Sequence, residues 1–135
     1  MLDKNIIKQI GKKFPEITAV YLIGSKARGE ERKDSDLDIA IVVKKASIKR
    51  LKNIFEEFSK KLQIPNLDLR IIIPEETDPL FLFQVIKGKL LYFKSEKEKV
   101  QFETKAMKLF YDTQHLRNIY HFYLKERLSK GKYGK

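Results

Sequence analysis

Three aspartates have the residue type and spacing to bind metal ions. Asp36 and Asp38 lie two residues apart at the start of one apolar segment, and Asp68 lies at the start of another. Because alternate residues of a strand point to the same face, the first two carboxylates leave one side of the backbone, with Cα atoms about 7 Å apart. Two carboxylates that close repel each other, so the arrangement is unfavourable unless a cation neutralises them. Oxygen ligands of this kind suit Mg²⁺ or Mn²⁺.

If the second and third predicted strands are neighbours, Asp68 completes a cluster of three carboxylates. Two divalent ions held about 3.5–4 Å apart by such a cluster are the usual means of in-line phosphoryl or nucleotidyl transfer. The three aspartates are therefore predicted to be both metal ligands and catalytic residues.

The turn that follows the first predicted strand supplies a matching phosphate site. Gly24 would let a phosphate approach the backbone without a Cβ in the way, and Ser25 adds a hydroxyl donor. The helical turn predicted next offers free backbone N–H groups, and the guanidinium group of Arg28 directs several N–H donors toward the same space. Phosphate donors beside metal-binding carboxylates predict a nucleoside triphosphate site.

Each motif alone has an ordinary explanation. Gly-Ser after a strand is a common turn, and Asp-x-Asp is usually a solvated strand end or a capping pair. The combination is more specific, because only ten residues separate Ser25 from Asp36 and a third predicted strand also carries an aspartate. Arg70, next to Asp68 on the same strand face, could form a simple ion pair, orient that carboxylate or touch the acceptor.

The elements that must position these residues follow from apolar periodicity and from capping residues. The order predicts an α/β (α+β) fold, with a small mixed sheet of about four strands, helices packed on it and a long C-terminal helix. We expect Gly11 to break the first helix. The sequence leaves open whether the last helix is continuous or interrupted. The predicted helices are 3–13, 47–61, 79–86 and 95–128, and the predicted strands are 18–23, 37–43, 67–73 and 90–93.

Length and composition narrow the function classes. The 135 residues predict a single domain (1–135), with a core at about 16–94 and a C-terminal helix and basic tail at about 95–135. No apolar run approaches the ~20 residues that span a bilayer, and the absence of cysteine excludes disulfides and cysteine-ligated metals. A cytoplasmic location fits, with no membrane partner. The net charge of +11 indicates either a solvated lysine-rich surface or attraction to polyanions such as RNA.

Two segments carry a resemblance to a known family. The stretch 24–29 (GSKARG), followed by 35–39 (SDLDI), resembles the signature of the DNA-polymerase-β-like nucleotidyltransferase superfamily. The short chain is similar to the minimal members of that superfamily, the MNT or MntA-type antitoxins of HEPN–MNT toxin–antitoxin pairs. The likeness is specific over 18–43, looser through residue 92, and fades in the last helix.

The resemblance implies a function and a role for each residue. Gly24 and Ser25 would hold the triphosphate of ATP, Asp36 and Asp38 would bind both of two Mg²⁺ ions (Mn²⁺ can substitute), and Asp68 would bind one ion and help activate the acceptor hydroxyl. Members that act transfer AMP from ATP, in characterised pairs to a tyrosine of the partner HEPN ribonuclease. The expected partner is thus a HEPN-type toxin in a hetero-oligomer.

Two alternatives remain open at this level. The chain could be an antitoxin that acts by complex formation with little or no turnover, or a nucleotidyltransferase that acts on RNA or on a small-molecule hydroxyl. The last helix places aromatic residues on more than one side, so core packing explains some of them and a partner-binding surface explains the rest. These residues are Phe110, Tyr111, Tyr120, Phe122 and Tyr123.

Overall fold

The elements follow the predicted alternation in a computed structural model that describes residues 2–24 and 37–129. Asp3, Ser47, Asp78 and Ser95 each accept a hydrogen bond from a backbone N–H in the first turn of the helix that follows. A short 3₁₀ turn, Pro74–Glu76, was not predicted. The helices are α1 (Lys4–Lys13), α2 (Ile48–Leu62), α3 (Pro79–Ile86) and α4 (Glu96–Ser129), and the strands are β1 (Ile17–Ile23), β2 (Leu37–Val43), β3 (Leu67–Ile72) and β4 (Lys89–Phe93).

The four strands form one mixed sheet, as the sequence predicted, and their order in it is β3-β2-β1-β4. β1 pairs antiparallel with β2 and with β4, whereas β2 and β3 are parallel and are connected through α2. Parallel neighbours start at the same edge of a sheet. The first residues of β2 and β3 therefore lie side by side.

Both faces of the sheet are covered by helices, which agrees with the predicted fold class. In β2 the odd-numbered residues join one core cluster and the even-numbered residues join the other, as the period of a strand requires. Helices α1 and α2 pack on the first face, and α3 and α4 pack on the second. Their buried residues include Ile7, Ile10, Ile54 and Phe58 on the first face, and Leu82, Val85, Phe102 and Ala106 on the second.

The expectation that Gly11 breaks the first helix is wrong. Gly11 is a buried residue inside α1, which continues to Lys13. A Cβ atom at this position would lie 2.4 Å from the ring of Tyr92, so the glycine allows α1 to approach β4. The residue type reflects close packing between two elements, not the end of the helix.

Helix α4 is continuous over 34 residues, and its first part is anchored to the sheet. Lys44 and Glu98 form an ion pair of 2.7 Å, which holds the pKa of that carboxyl below its usual range. The hydroxyl of Tyr21, which is buried, donates a hydrogen bond of 2.6 Å to Glu103, and burial together with this partner raises the pKa of the phenol. Within 2–24 and 37–129, no helix combines the length and apolarity needed to cross a bilayer.

Replacing Gly11 with alanine tests the contact between α1 and β4. An ordinary helix gains up to about 1 kcal/mol from this change. Here the clash with Tyr92 should dominate and lower the free energy of unfolding by roughly 1–3 kcal/mol, measured by urea denaturation. In a Tyr92→Leu background, which removes the ring, the same change should be neutral or stabilising. A Gly11→Ala protein more stable than the wild type would contradict the packing described here.

Candidate functional site

Two of the three predicted carboxylates are neighbours across the sheet. Asp38 of β2 is in register with Asp68 of β3 in the parallel pair. Adjacent strands lie about 4.8 Å apart, and residues in register point to the same face. That face is the one covered by α3 and α4, because Ala40 and Ile72, which have the same parity, belong to its core cluster. Both aspartates are only partly buried, so their carboxylates remain accessible at the sheet edge.

The predicted phosphate turn adjoins the same carboxylate. Gly24 follows Ile23, which is the β1 partner of Asp38. The backbone of Gly24 has φ +83°, a conformation that side-chain-bearing residues rarely adopt. A Cβ atom at Gly24 would lie 2.8 Å from Oδ2 of Asp38. Only glycine lets the end of β1 approach this carboxylate so closely.

Arg70 links Asp68 to helix α3. One of its terminal nitrogens lies 3.4 Å from Oδ2 of Asp68, and its guanidinium lies 5.5 Å from the centre of the Phe81 ring. Of the roles left open for Arg70, the structure supports an ion pair that orients the carboxylate. Both side chains are about half exposed, so the ion pair should add little to the stability of the fold. Its main effect should be to orient the Asp68 carboxylate.

A cavity of about 210 Å³ opens at this point between the sheet and α3. The sequence did not single out Phe81 and Gln84 as site residues. Their spacing of three places them on one side of α3, but nothing in the sequence says that this side meets the carboxylates. The walls of the cavity are formed by Ile23, Gly24, Asp38, Arg70, Phe81 and Gln84.

A larger cavity, about 550 Å³, lies at the opposite end of β2, near Lys44 and Glu98. We place the candidate site in the smaller cavity because it is the one that brings a predicted metal ligand and the predicted phosphate turn together. Two lysines and two glutamates around the larger cavity instead form ion pairs with one another, Lys44 with Glu98 and Lys105 with Glu75.

Three of the predicted site residues, Ser25, Arg28 and Asp36, lie outside the described residues. Within the described ranges, no group of three or more histidine, aspartate or glutamate side chains is close enough to hold a metal ion. Asp38 and Asp68 supply two of the three predicted ligands, and their adjacent carboxylate oxygens are the donor type that Mg²⁺ and Mn²⁺ require. The residues present therefore fit a divalent cation.

Comparison with known proteins decides the family. Residues 5–97 match the profile of the family described as "Polymerase beta, Nucleotidyltransferase". The chain belongs to this nucleotidyltransferase family. The match spans every strand and includes Gly24, Asp38 and Asp68. No curated protein sequence matches the chain.

Several solved structures share the fold. A chain of the "toxin-antitoxin with AMP-PNP" crystal structure is 19% identical with a TM-score of 0.69, covering 92% of this chain and 99% of that one. A chain of the "tri-AMPylated Shewanella oneidensis HEPN toxin in complex with MNT antitoxin" is 17% identical with a TM-score of 0.64, covering 90% and 95%. A chain of the "toxin-antitoxin MntA-HepT" is 17% identical with a TM-score of 0.63, covering 90% and 96%. At these identities the likeness shows a common fold.

Gly24→Ala tests the contact between the turn and the carboxylate. The added methyl group needs a strained backbone, at a cost of about 1–3 kcal/mol, and displaces the Asp38 carboxylate. We expect the protein to remain folded by circular dichroism while its affinity for Mn²⁺ with a fluorescent ATP analogue falls at least tenfold. Unchanged affinity in the folded variant would show that this close approach is not part of the nucleotide site.

Proposed function

We propose that the chain is a Mg²⁺-dependent nucleotidyltransferase that transfers AMP from ATP to a hydroxyl of a protein partner. We further propose that it is the antitoxin of a HEPN/MNT pair and that the partner is a HEPN-type ribonuclease toxin. One observation carries the proposal: Asp38 and Asp68 are neighbours in a parallel pair, and Gly24 packs against Asp38 at the same edge.

We propose a role for each of these residues. Asp36, Asp38 and Asp68 would hold two Mg²⁺ ions, for which Mn²⁺ can substitute. When bound, these ions would supply positive charge to the α-phosphate and to the departing pyrophosphate. Gly24 would leave space for the triphosphate, and the cavity beside Phe81 and Gln84 would leave space for a reacting group.

The transfer step uses the acceptor's own oxygen as the nucleophile. That oxygen attacks the α-phosphorus of ATP, a new P–O bond forms, and the bond between the α-phosphorus and the bridging oxygen breaks. Pyrophosphate leaves with the electron pair of the broken bond, and we assign the hydroxyl proton to the Asp68 carboxylate. Arg70 would act as a positioning residue, because its ion pair with Asp68 fixes the direction of that carboxylate.

The similar structures support a protein as the acceptor. Three of them are described as toxin–antitoxin complexes, one of these contains AMP-PNP, and in another the toxin is tri-AMPylated. Each alignment covers at least 90% of this chain, whereas the family profile ends at residue 97, so the likeness extends into part of α4 beyond the profile.

An antitoxin that acts only by complex formation is the second candidate. It is favoured by one observation, the large apolar side chains left exposed on α4, which would suit partner binding without chemistry. The two candidates differ in whether the carboxylates are needed for neutralisation of the toxin.

Labelled ATP, Mg²⁺ and the product of a neighbouring gene provide the test. Wild-type protein should label the partner, and Asp38→Asn and Asp68→Asn should each lower the rate by roughly 10²-fold or more, as expected when a charge-stabilising group is lost. Asp3→Asn is the matched control, since asparagine also caps a helix and Asp3 lies at the start of α1.

Equal labelling by the two site variants and the control would contradict the transferase proposal. If the site variants still bind the partner and still protect cells from it, the second candidate would be favoured instead.

A further inference from the structure

The second half of α4 carries a row of exposed apolar side chains. We call the row formed by Leu116, Ile119, Tyr120 and Tyr123 the α4 stripe. These positions follow the i, i+3, i+4, i+7 spacing and so lie on one side of the helix. All four are more than half exposed; Leu116 reaches 66% and Tyr120 61%.

Neither core cluster includes a residue of the stripe. Among the α4 side chains that the structure describes, the buried apolar ones are Phe102 and Ala106, both in the first half. A contiguous row of exposed apolar side chains on a helix is typical of a surface that binds another molecule. The 16 residues from 114 to 129 extend about 24 Å, long enough to present four turns to a partner.

The part of α4 that precedes the stripe packs on α3, the helix that forms one wall of the candidate site. The ring of Phe83 in α3 stacks on Phe110 of α4, with ring centres 3.9 Å apart. Phe83 lies between Phe81 and Gln84, which line the cavity. Leu116 is only six residues, about 9 Å of helix, beyond Phe110. A protein bound to the stripe would therefore lie near α3, the helix that lines the candidate site.

Charge argues against a second copy of the chain as the occupant. The chain carries a net charge of +11. Beside the stripe, Arg117, Lys125 and Arg127 outnumber the one acidic residue of the segment 116–129, Glu126. Two such surfaces would repel each other, whereas an apolar surface flanked by carboxylates would be complementary to this one.

We propose that the α4 stripe is the docking surface for the protein that accepts the nucleotide, a partner with an apolar patch flanked by acidic residues. This inference rests on the proposed function, because the occupant is identified as the acceptor. Docking on the stripe raises the local concentration of the acceptor hydroxyl at the cavity. It does so without contacting ATP, so loss of the stripe should affect acceptor use and leave nucleotide binding unchanged.

A pair of matched double variants tests the proposal in the full-length chain. Leu116→Gln/Tyr120→Gln removes one aliphatic and one aromatic side chain from the stripe. Ile48→Gln/Phe55→Gln removes the same kinds of exposed side chain from α2, on the opposite face of the sheet. Wild type and both variants are incubated with α-labelled ATP and Mg²⁺ in an extract of the source cells. Affinity for a fluorescent ATP analogue and the mass of each purified chain by light scattering are measured in parallel.

We expect wild type and the α2 variant to label the same protein, and the stripe variant to label it at least tenfold less at limiting extract. All three should bind the ATP analogue equally and be monomeric when purified. Equal labelling by the stripe variant would overturn the docking inference while leaving the transferase proposal intact. A wild-type dimer that the stripe variant converts to a monomer would identify a second copy as the occupant, which also overturns it.

Absence of any labelled protein, with ATP analogue binding intact, would instead overturn the proposed function and with it the identification of the occupant as an acceptor. The wild-type protein distinguishes the two outcomes: it labels no protein if the proposed function is wrong, and it still labels its partner if only the docking inference is wrong.

Discussion

The register of one pair of parallel strands determines the chemistry available to this chain. Because β2 and β3 run in the same direction, their first residues meet at one edge of the sheet, and Asp38 lies beside Asp68. A shift of one residue would turn one carboxylate to the opposite face, where α1 and α2 pack. The antiparallel pairing of β1 with β2 then brings the end of β1, with Gly24, to the same carboxylate. The candidate site depends on these two pairings together.

The helices on the two faces of the sheet differ in what they contribute to the site. Helices α1 and α2 bury the first face of the sheet, and the closeness of that packing is visible at Gly11, where a methyl group has no space. Helices α3 and α4 bury the other face; α3 also lines the cavity with Phe81 and Gln84, and α4 contacts α3 where Phe110 stacks on Phe83. The layer that forms the cavity wall is therefore the layer that carries the exposed stripe.

The element order, the mixed four-stranded sheet and the alternation within β2 were all predicted from apolar periodicity, because each depends on local spacing. The roles of Gly11, Phe81 and Gln84 were not, because they depend on which element approaches from far along the chain. Gly11 is placed by Tyr92, 81 positions later, and the side of α3 that meets the carboxylates is set by packing of the whole helix. The aromatic residues of α4 gave only a partial signal: their spacing indicated a helix, but burial by the sheet ends near Ala106. The metal-binding and nucleotide-binding roles of all the predicted site residues stay predictions, and Ser25, Arg28 and Asp36 also lie outside the described residues.

The central claim is that Asp38 and Asp68 hold a divalent cation beside a nucleotide, and a crystal structure with Mn²⁺ and a non-hydrolysable ATP analogue tests it most directly. The anomalous signal of Mn²⁺ locates the ion independently of its ligands. We predict a peak within about 2.2 Å of a carboxylate oxygen of each aspartate, with the triphosphate passing over Gly24. Mn²⁺ bound elsewhere, for example among the glutamates near Lys44, or a nucleotide that contacts neither aspartate, would contradict the account.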